Sequence, residues 1–277
     1  MQSVNTLAAI RRHPLKSAAA EHLTETAIGT RGLDGDRTWA CFDADGTIGT
    51  GKQPRLWGAL LDVTAVYLAG QGESEVQLTV PGGAPVTAGT PEADAALSAW
   101  LGRPVRLTRT APAQVKRHHW WPDEPGMIPE WAADAEPGGE DVQPVRGAAD
   151  GRFFDFGPLH LVTTGALARL AAEHGAAVDP SRFRPNLILD LPADPAPGQR
   201  ITIGDDVVLE AALPTPRCII PSIAHGPDAP ADPGLLKTLA ANHRIDVPGY
   251  GRATCFGFYA DVIATGTVRT GDRVELS

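Results

Sequence analysis

Apolar side chains recur along this chain in short alternating stretches rather than in long helical waves. Val4 to Ile10 is an apolar-rich run ended by Arg-Arg-His-Pro, which reads as a first strand closed by Pro14. His22 to Ile28 alternates polar and apolar, as a half-buried strand does. Thr38 to Phe42 reads as a strand running into a hairpin turn at Asp43-Ala44-Asp45-Gly46. Leu60 to Leu68 and Glu75 to Val80 continue the strand pattern, and Pro81-Gly82-Gly83 is a further turn. Pro91 to Leu101 is the first helical stretch, with acidic residues in its opening turn and Gly102 and Pro104 to end it. Val105 to Thr108 returns to a strand.

From Lys116 to Gly151 the pattern breaks down, and a long loop carrying Trp120, Trp121 and Trp131 is expected to join or cover two lobes. Beyond it, Leu159 to Val162 reads as a strand, and Gly165 to His174 as a helix closed by Gly175. Leu187 to Leu189, Arg200 to Ile203 and Val207 to Ala211 are expected strands, and Pro233 to His243 is a short helix. Cys255 to Ala264 and Thr267 to Val268 are late strands. The pattern implies a mostly β, α+β chain, divided into residues 1–115, a connecting loop 116–150 and residues 151–277.

Composition narrows the function classes. With 277 residues, 43% hydrophobic and 21% charged, the chain can bury a core and is not disordered throughout. The 30 Gly and 25 Pro are spread along it, which suits many turns between strands. A net charge of −9 with no Lys/Arg run argues against nucleic acid as a partner, while a local pocket for an anionic small ligand stays open. Cys41, Cys218 and Cys255 form no CxxC pair and no disulfide framework, as in a reducing compartment. The opening residues lack a secretory hydrophobic region and no stretch is long and apolar enough to span a membrane, so a cytoplasmic, membrane-free protein is expected. His118, His119, His160 and His225 show no metal-ligand spacing, and a zinc site is not expected.

Several polar residues sit where chemistry could use them. Lys16 and Ser17 follow a proline at a strand end, where a turn can expose both; a solvated surface Lys is the plain alternative. Arg37, in Gly35-Asp36-Arg37, could fork onto an anion or pair with Asp34 or Asp36 in a turn, and Lys52 and Arg55 are secondary candidates. Arg182 and Arg184 precede a buried-looking strand, where each needs an acceptor. Pro185 should hold Arg184 extended, so that Arg184 and Asn186 point to one side; a structural ion pair and an Asn turn are the alternative. Cys218 follows Arg217, a neighbour that favours thiolate, although a lone Cys is more often a small core residue, the role expected for Cys41 and Cys255.

In this order, HPLKS (His13 to Ser17), RGLDGDRTW (Arg31 to Trp39), LHLVTTGAL (Leu159 to Leu167), RFRPNLILD (Arg182 to Asp190), PRC (Pro216 to Cys218) and the ending from Cys255 resemble the MOSC family. The resemblance implies an N-terminal β-barrel-like lobe followed by a MOSC β-barrel with peripheral helices, and covers nearly all of the chain outside the Lys116 to Gly151 loop. It further implies a molybdenum cofactor (molybdopterin) contacted by Lys16, Ser17, Arg37, Arg184 and Asn186, with Cys218 as metal ligand and catalytic centre. Where the family often has a hydroxyl residue this chain has Ala166, so Thr163 and Thr164 are the candidate donors. It also departs from the family in IIPSIAHG after Cys218 and in LPADPAPGQR before Ile201, positions on the substrate side more than in the cofactor set. The implied activity is reduction of N-hydroxylated or N-oxygenated compounds with electrons from a separate donor protein, since no flavin, haem or iron–sulfur motif is present. The alternatives are a persulfide on Cys218 charged by a cysteine desulfurase, or a cofactor carrier. Pyridoxal phosphate is not expected, because the chain has no room for an aminotransferase-like domain.

Overall fold

Two apolar clusters organise the chain, and most strands owe their existence to one or the other. The protein is described by a computed structural model covering residues 5–68, 75–111, 115–145, 152–226 and 228–277, so Val4 and the end of the Lys116 to Gly151 segment lie outside the described residues. The larger cluster includes Leu7, Ile10, Leu161, Leu187, Leu189, Ile201, Leu209 and Phe258. It is built on a nine-stranded sheet in which Val274–Leu276, Arg200–Ile203, Val207–Pro216, Gly251–Ala264, Leu159–Thr163, Leu187–Leu189, Leu7–Arg12 and Glu21–Leu23 lie side by side, with Arg244–Val247 paired to Gly251–Ala264. Neighbours are antiparallel except Leu159–Thr163 and Leu187–Leu189, whose parallel pairing requires the crossover helix Thr164–His174. That helix and Pro233–Asn242 cover one face through Leu170, Leu235, Leu236 and Leu239.

The second cluster, with Leu15, Trp39, Trp57, Leu60, Leu78, Leu97 and Leu107, fills the first lobe. Around it lie the pair Ala40–Phe42 with Arg106–Thr108, the three-stranded sheet Thr64–Tyr67, Val76–Thr79 and Val86–Thr87, and the helix Pro91–Leu101, capped by Thr90 and closed by Gly102. The lobes are interlocked. Leu7–Arg12 pairs with Leu187–Leu189, and Glu25–Gly29 pairs with Gly266–Arg269, so residues 7–29 lend strands to the C-terminal half. The chain is mostly β with few helices, the expected α+β class. Among the described residues no helix is long and apolar enough to cross a membrane.

Three expectations are corrected. His22 to Ile28 is two strands, divided at Thr24 because Glu21–Leu23 follows Leu7–Arg12 while Glu25–Gly29 joins Gly266–Arg269. Leu60 to Leu68 begins as a 3-10 helix, Gly58–Asp62, continuing the short helix Pro54–Trp57; its apolar residues reach the core from a turn, and the strand is only Thr64–Tyr67. The Lys116 to Gly151 segment is not a structureless loop. Lys116–Trp120 and Glu140–Pro144 form an antiparallel hairpin, with a 3-10 turn at Glu130–Ala132 between them.

Candidate functional site

Loops from both lobes converge on a cavity lined by Lys16, Ser17, Arg37, Thr50 and Lys52 from the first and by Asp155, His160, Arg184, Arg217 and Cys218 from the second. Backbone strain is concentrated here. Among the described residues, the non-glycine positions with positive φ are Ser17 at 65°, Arg37 at 50° and Arg184 at 56°, and all three line this cavity. Each costs about 1 kcal/mol or more, so the surrounding contacts must enforce it. Ser17 Oγ accepts from Gly51 N at 3.1 Å. Arg37 donates from its backbone to His13 O at 2.7 Å, and Phe153 N donates to Arg37 O at 2.8 Å. The Arg37 guanidinium rests on the fully buried Asp36 and reaches Asn186 Oδ1 and Arg184 O, each at 3.4 Å.

The expected extended Arg184 is corrected. Its N–H closes the 3-10 turn Pro180–Phe183 on Ser181 O, and Pro185 disfavours the right-handed helical region, so the residue turns left-handed at φ 56° and ψ 46°. Its guanidinium is carried to Ala18 O at 2.6 Å. Asn186 lines the same cavity, but its amide is committed: Oδ1 accepts from His160 N at 3.1 Å and Nδ2 donates to Arg11 O at 3.3 Å. It positions Arg37 rather than offering a free contact.

Thr163 and Thr164 are placed elsewhere, which corrects the expectation that they line the site. Thr163 is the N-cap of the helix Thr164–His174, accepting from Ala166 N at 3.2 Å and donating to Asp194 at 2.7 Å; Thr164 donates to Asp190 at 2.7 Å. The first hydroxyl is consumed by capping and the second, on the helix's first residue, by the Asp190 carboxylate. Arg182 donates to the carbonyls of Pro221, Ile223 and Pro230 and is structural. Of the secondary candidates, Lys52 is in the cavity, whereas Arg55 stacks on Trp120 at 3.9 Å.

The cavity is strongly cationic in an acidic protein. Lys16, Arg37, Lys52, Arg184 and Arg217 line it, against Asp155 as its one carboxylate among the described residues. Asp155 had no signal beyond being a lone acid in the aromatic run Phe153 to Phe156. It faces Lys16 Nζ at 3.0 Å, Lys52 Nζ at 3.2 Å and Arg117 Nη1 at 3.5 Å. Burial pushes its carboxyl up, but these three cations outweigh burial and hold it well below the usual carboxylate range. Burial, opposed by Asp155 and aided by Lys52, lowers Lys16 to about 8. Burial and the neighbouring Arg37 lower Arg184 to about 9. His160 is kept neutral by burial and by Arg217 and Arg37. Arg184 Nη2, Arg217 Nε and Thr215 Oγ1 are buried with no partner in the protein. Such orphaned donors are costly and fit an absent anion with several acceptor oxygens.

Cys218 is half-buried and lies on the wall of this cavity and of a second one of about 660 Å³. The second cavity opens under the hairpin segment and is walled by Trp121, Met127, Trp131, Phe156 and Tyr250. Cys41 and Cys255 are buried core residues, their thiols pushed up to about 12 mainly by burial. Among the described residues no three His, Cys, Asp or Glu side chains are grouped to hold a metal, so a metal on Cys218 would draw its other ligands from a bound group.

Comparison with known proteins gives two family matches. The MOSC N-terminal beta barrel domain matches residues 4–103, and the MOSC domain matches residues 149–275. A search of curated proteins gave no match. Among solved structures, the YUAD protein from Bacillus subtilis is 14% identical with a TM-score of 0.46, over 99% of this chain and 96% of that one. YiiM from Geobacillus stearothermophilus is 18% identical with a TM-score of 0.30, over 43% of this chain and 54% of that one.

Proposed function

Since the chain belongs to the MOSC family, whose domains are associated with the molybdenum cofactor, we propose that it is a molybdenum-cofactor oxidoreductase reducing N-hydroxylated or N-oxygenated compounds. The observation that carries this reading is the position of Cys218 on a wall shared by a cationic cavity and an aromatic one. A pterin phosphate is the kind of anion that the orphaned donors of Arg184 and Arg217 fit. Lys16, Ser17, Arg37 and Arg184 would hold it, with Asn186 fixing Arg37 and Cys218 offering a soft thiolate to the metal. The bound group supplies two-electron oxygen-transfer chemistry.

The chain's own residues supply the rest. Reduction of an N–O bond consumes protons as well as electrons. Lys16 Nζ, 3.0 Å from Asp155, would carry a proton at the cavity wall, beside the bound group. Aromatic side chains on the Cys218 side offer apolar surface to a substrate. Electrons would come from a separate donor protein. Access to Cys218 through a walled cavity favours a small molecule over the cysteine of a sulfur-donating protein.

The test uses molybdenum-loaded protein, a chemical one-electron reductant and an N-hydroxyamidine. Amidine should form with the wild type and not with Cys218→Ala. A fully loaded protein that turns over nothing, yet carries cyanide-labile sulfur on Cys218, would replace this reading with sulfur transfer.

A further inference from the structure

Three large aromatic side chains are left exposed at the mouth of the cavity beneath the hairpin segment: Trp131 at 42%, Phe156 at 47% and Tyr250 at 43%. They come from three separate parts of the chain, yet they meet edge to face. Ring centroids lie 5.6 Å apart for Trp131 and Tyr250, 6.1 Å for Phe156 and Tyr250, and 6.5 Å for Trp131 and Phe156. An exposed aromatic group of this kind, on the rim of a concavity, marks a binding surface rather than chance exposure. Rings continue inward from it. Phe156 contacts Tyr259 at 6.1 Å, and deeper in the aromatic cavity Trp121 stacks on His119 at 4.1 Å.

The rim is held in place. Glu130, next to Trp131, accepts from Arg252 N at 2.8 Å. Gly251 has φ +74°, and a Cβ there would lie 2.5 Å from Glu130 Oε2, so this approach requires glycine. Arg244 donates to Ile128 O at 3.1 Å, and Thr254 Oγ1 donates to Gly126 O at 2.9 Å. The segment that presents Trp131 is thereby latched onto the sheet beside Tyr250. Nearer Cys218, most polar groups pair with one another: Lys52 and Arg117 face Asp155, Arg117 also holds Gln143, and Trp121 Nε1 donates to Asp141, while His119 Nδ1 and Asp141 Oδ1 have no partner among the described residues. At the rim, the surface offered to a guest is mainly the π-faces of these rings. Residues 104–148, which carry Trp131, lie outside both family domain matches.

We infer that Trp131, Phe156 and Tyr250 form a preorganised aromatic clamp that selects planar aromatic or heteroaromatic substrates and directs their N-oxygenated group toward Cys218. The inference rests on the reductase reading only in taking Cys218 as the reacting end; selective binding of planar aromatics is separate from turnover. A flat guest that stacks on the exposed faces of these mutually packed rings buries its own face and theirs together, whereas a small aliphatic guest leaves the rim exposed.

Two probes with the same reacting group separate the possibilities: N-hydroxybenzamidine and N-hydroxyacetamidine, titrated calorimetrically into the purified protein. The wild type should bind the aromatic probe about tenfold or more tightly than the aliphatic one. Trp131→Ala should remove about tenfold of that affinity while changing the aliphatic probe by less than about twofold; Trp131→Phe should keep most of it. Gly251→Ala, which splays the rim without deleting a ring, should lower the preference in the same direction. Equal affinity for the two probes, or an equal loss of both in Trp131→Ala, would overturn the clamp. Selective binding without turnover of either probe by molybdenum-loaded protein leaves the clamp standing and removes the reductase reading. Turnover of both probes with equal kcat/KM does the reverse.

Discussion

The cationic cavity between the lobes and the aromatic cavity under the hairpin segment share Lys52, Phe156, Pro216, Arg217 and Cys218 on their walls, yet they are built by opposite means. The first spends stability. It holds Ser17, Arg37 and Arg184 in left-handed backbone, packs five cations around one carboxylate, and leaves donors of Arg184 and Arg217 buried without partners. The second holds no non-glycine residue in left-handed backbone among the described residues, its rim stands in solvent, and most of its inner polar groups pair with one another, His119 Nδ1, Asp141 Oδ1 and the shared Arg217 Nε excepted. A cavity of the first kind is completed by an anion that stays bound. One of the second kind, with an exposed aromatic rim and most of its polar groups paired, suits a guest that comes and goes.

That contrast can be broken most forcefully at the tryptophans. Trp121 is 5% exposed and donates to Asp141 at 2.9 Å, so Trp121→Ala should cost about 3–5 kcal/mol of folding stability in chemical denaturation. A loss below about 1 kcal/mol would mean that the hairpin segment is not anchored by this ring.

Next come the arginine forks. Arg184→Lys and Arg37→Lys preserve charge but remove planar bidentate donation, and should each weaken cofactor retention by about 10–100-fold, read as pterin fluorescence released from purified protein. Retention equal to wild type in both variants would make these arginines purely structural.

Titration of Lys16 gives an effect of opposite sign in two measurements. Its folded value of about 8 lies below its ordinary 10.5, so between those pH values the folded cofactor-free protein binds fewer protons than the unfolded chain. Stability of the cofactor-free protein should therefore gain from this group as pH rises through that window. Affinity for the anionic cofactor should fall over the same range, by up to about tenfold per pH unit, as the ammonium is lost. Lys16→Arg should flatten both trends; parallel rather than opposed trends in the wild type would contradict the assignment. The smallest effect is expected for Trp131→Ala on stability, about 1 kcal/mol or less, because that ring is 42% exposed. A drop as large as that of Trp121→Ala would show that the rim is part of the core.

Much of the cationic cavity was legible in the chain. The family resemblance picked out Lys16, Ser17, Arg37 and Arg184, which local position alone left open to plainer roles, and the structure brings all four together with Cys218. What misled was competition from local hydrogen bonding. Thr163 and Thr164 look like site donors, but the first caps a helix and the second bonds Asp190, and Asn186 is used up on His160 and Arg11. Asp155 and Arg217 become visible only when distant loops meet, because their partners Lys16, Lys52 and His160 are far away in sequence. The hairpin was hidden for another reason. The inward positions of Lys116–Trp120 and Glu140–Pro144 include the polar His119, Asp141 and Gln143, and a ribbon whose inner face is polar shows no period-two hydrophobic signal.

The account stands or falls on what Cys218 holds. Molybdenum measured by mass spectrometry in purified wild type, Cys218→Ala, Cys41→Ala and Cys255→Ala tests it most directly. Stoichiometric metal is predicted in the wild type and in the Cys41 and Cys255 variants, whose thiols are buried in the core, and loss of metal in Cys218→Ala. Full occupancy in Cys218→Ala, or loss confined to a core variant, would contradict the assignment of Cys218 as the metal's protein ligand.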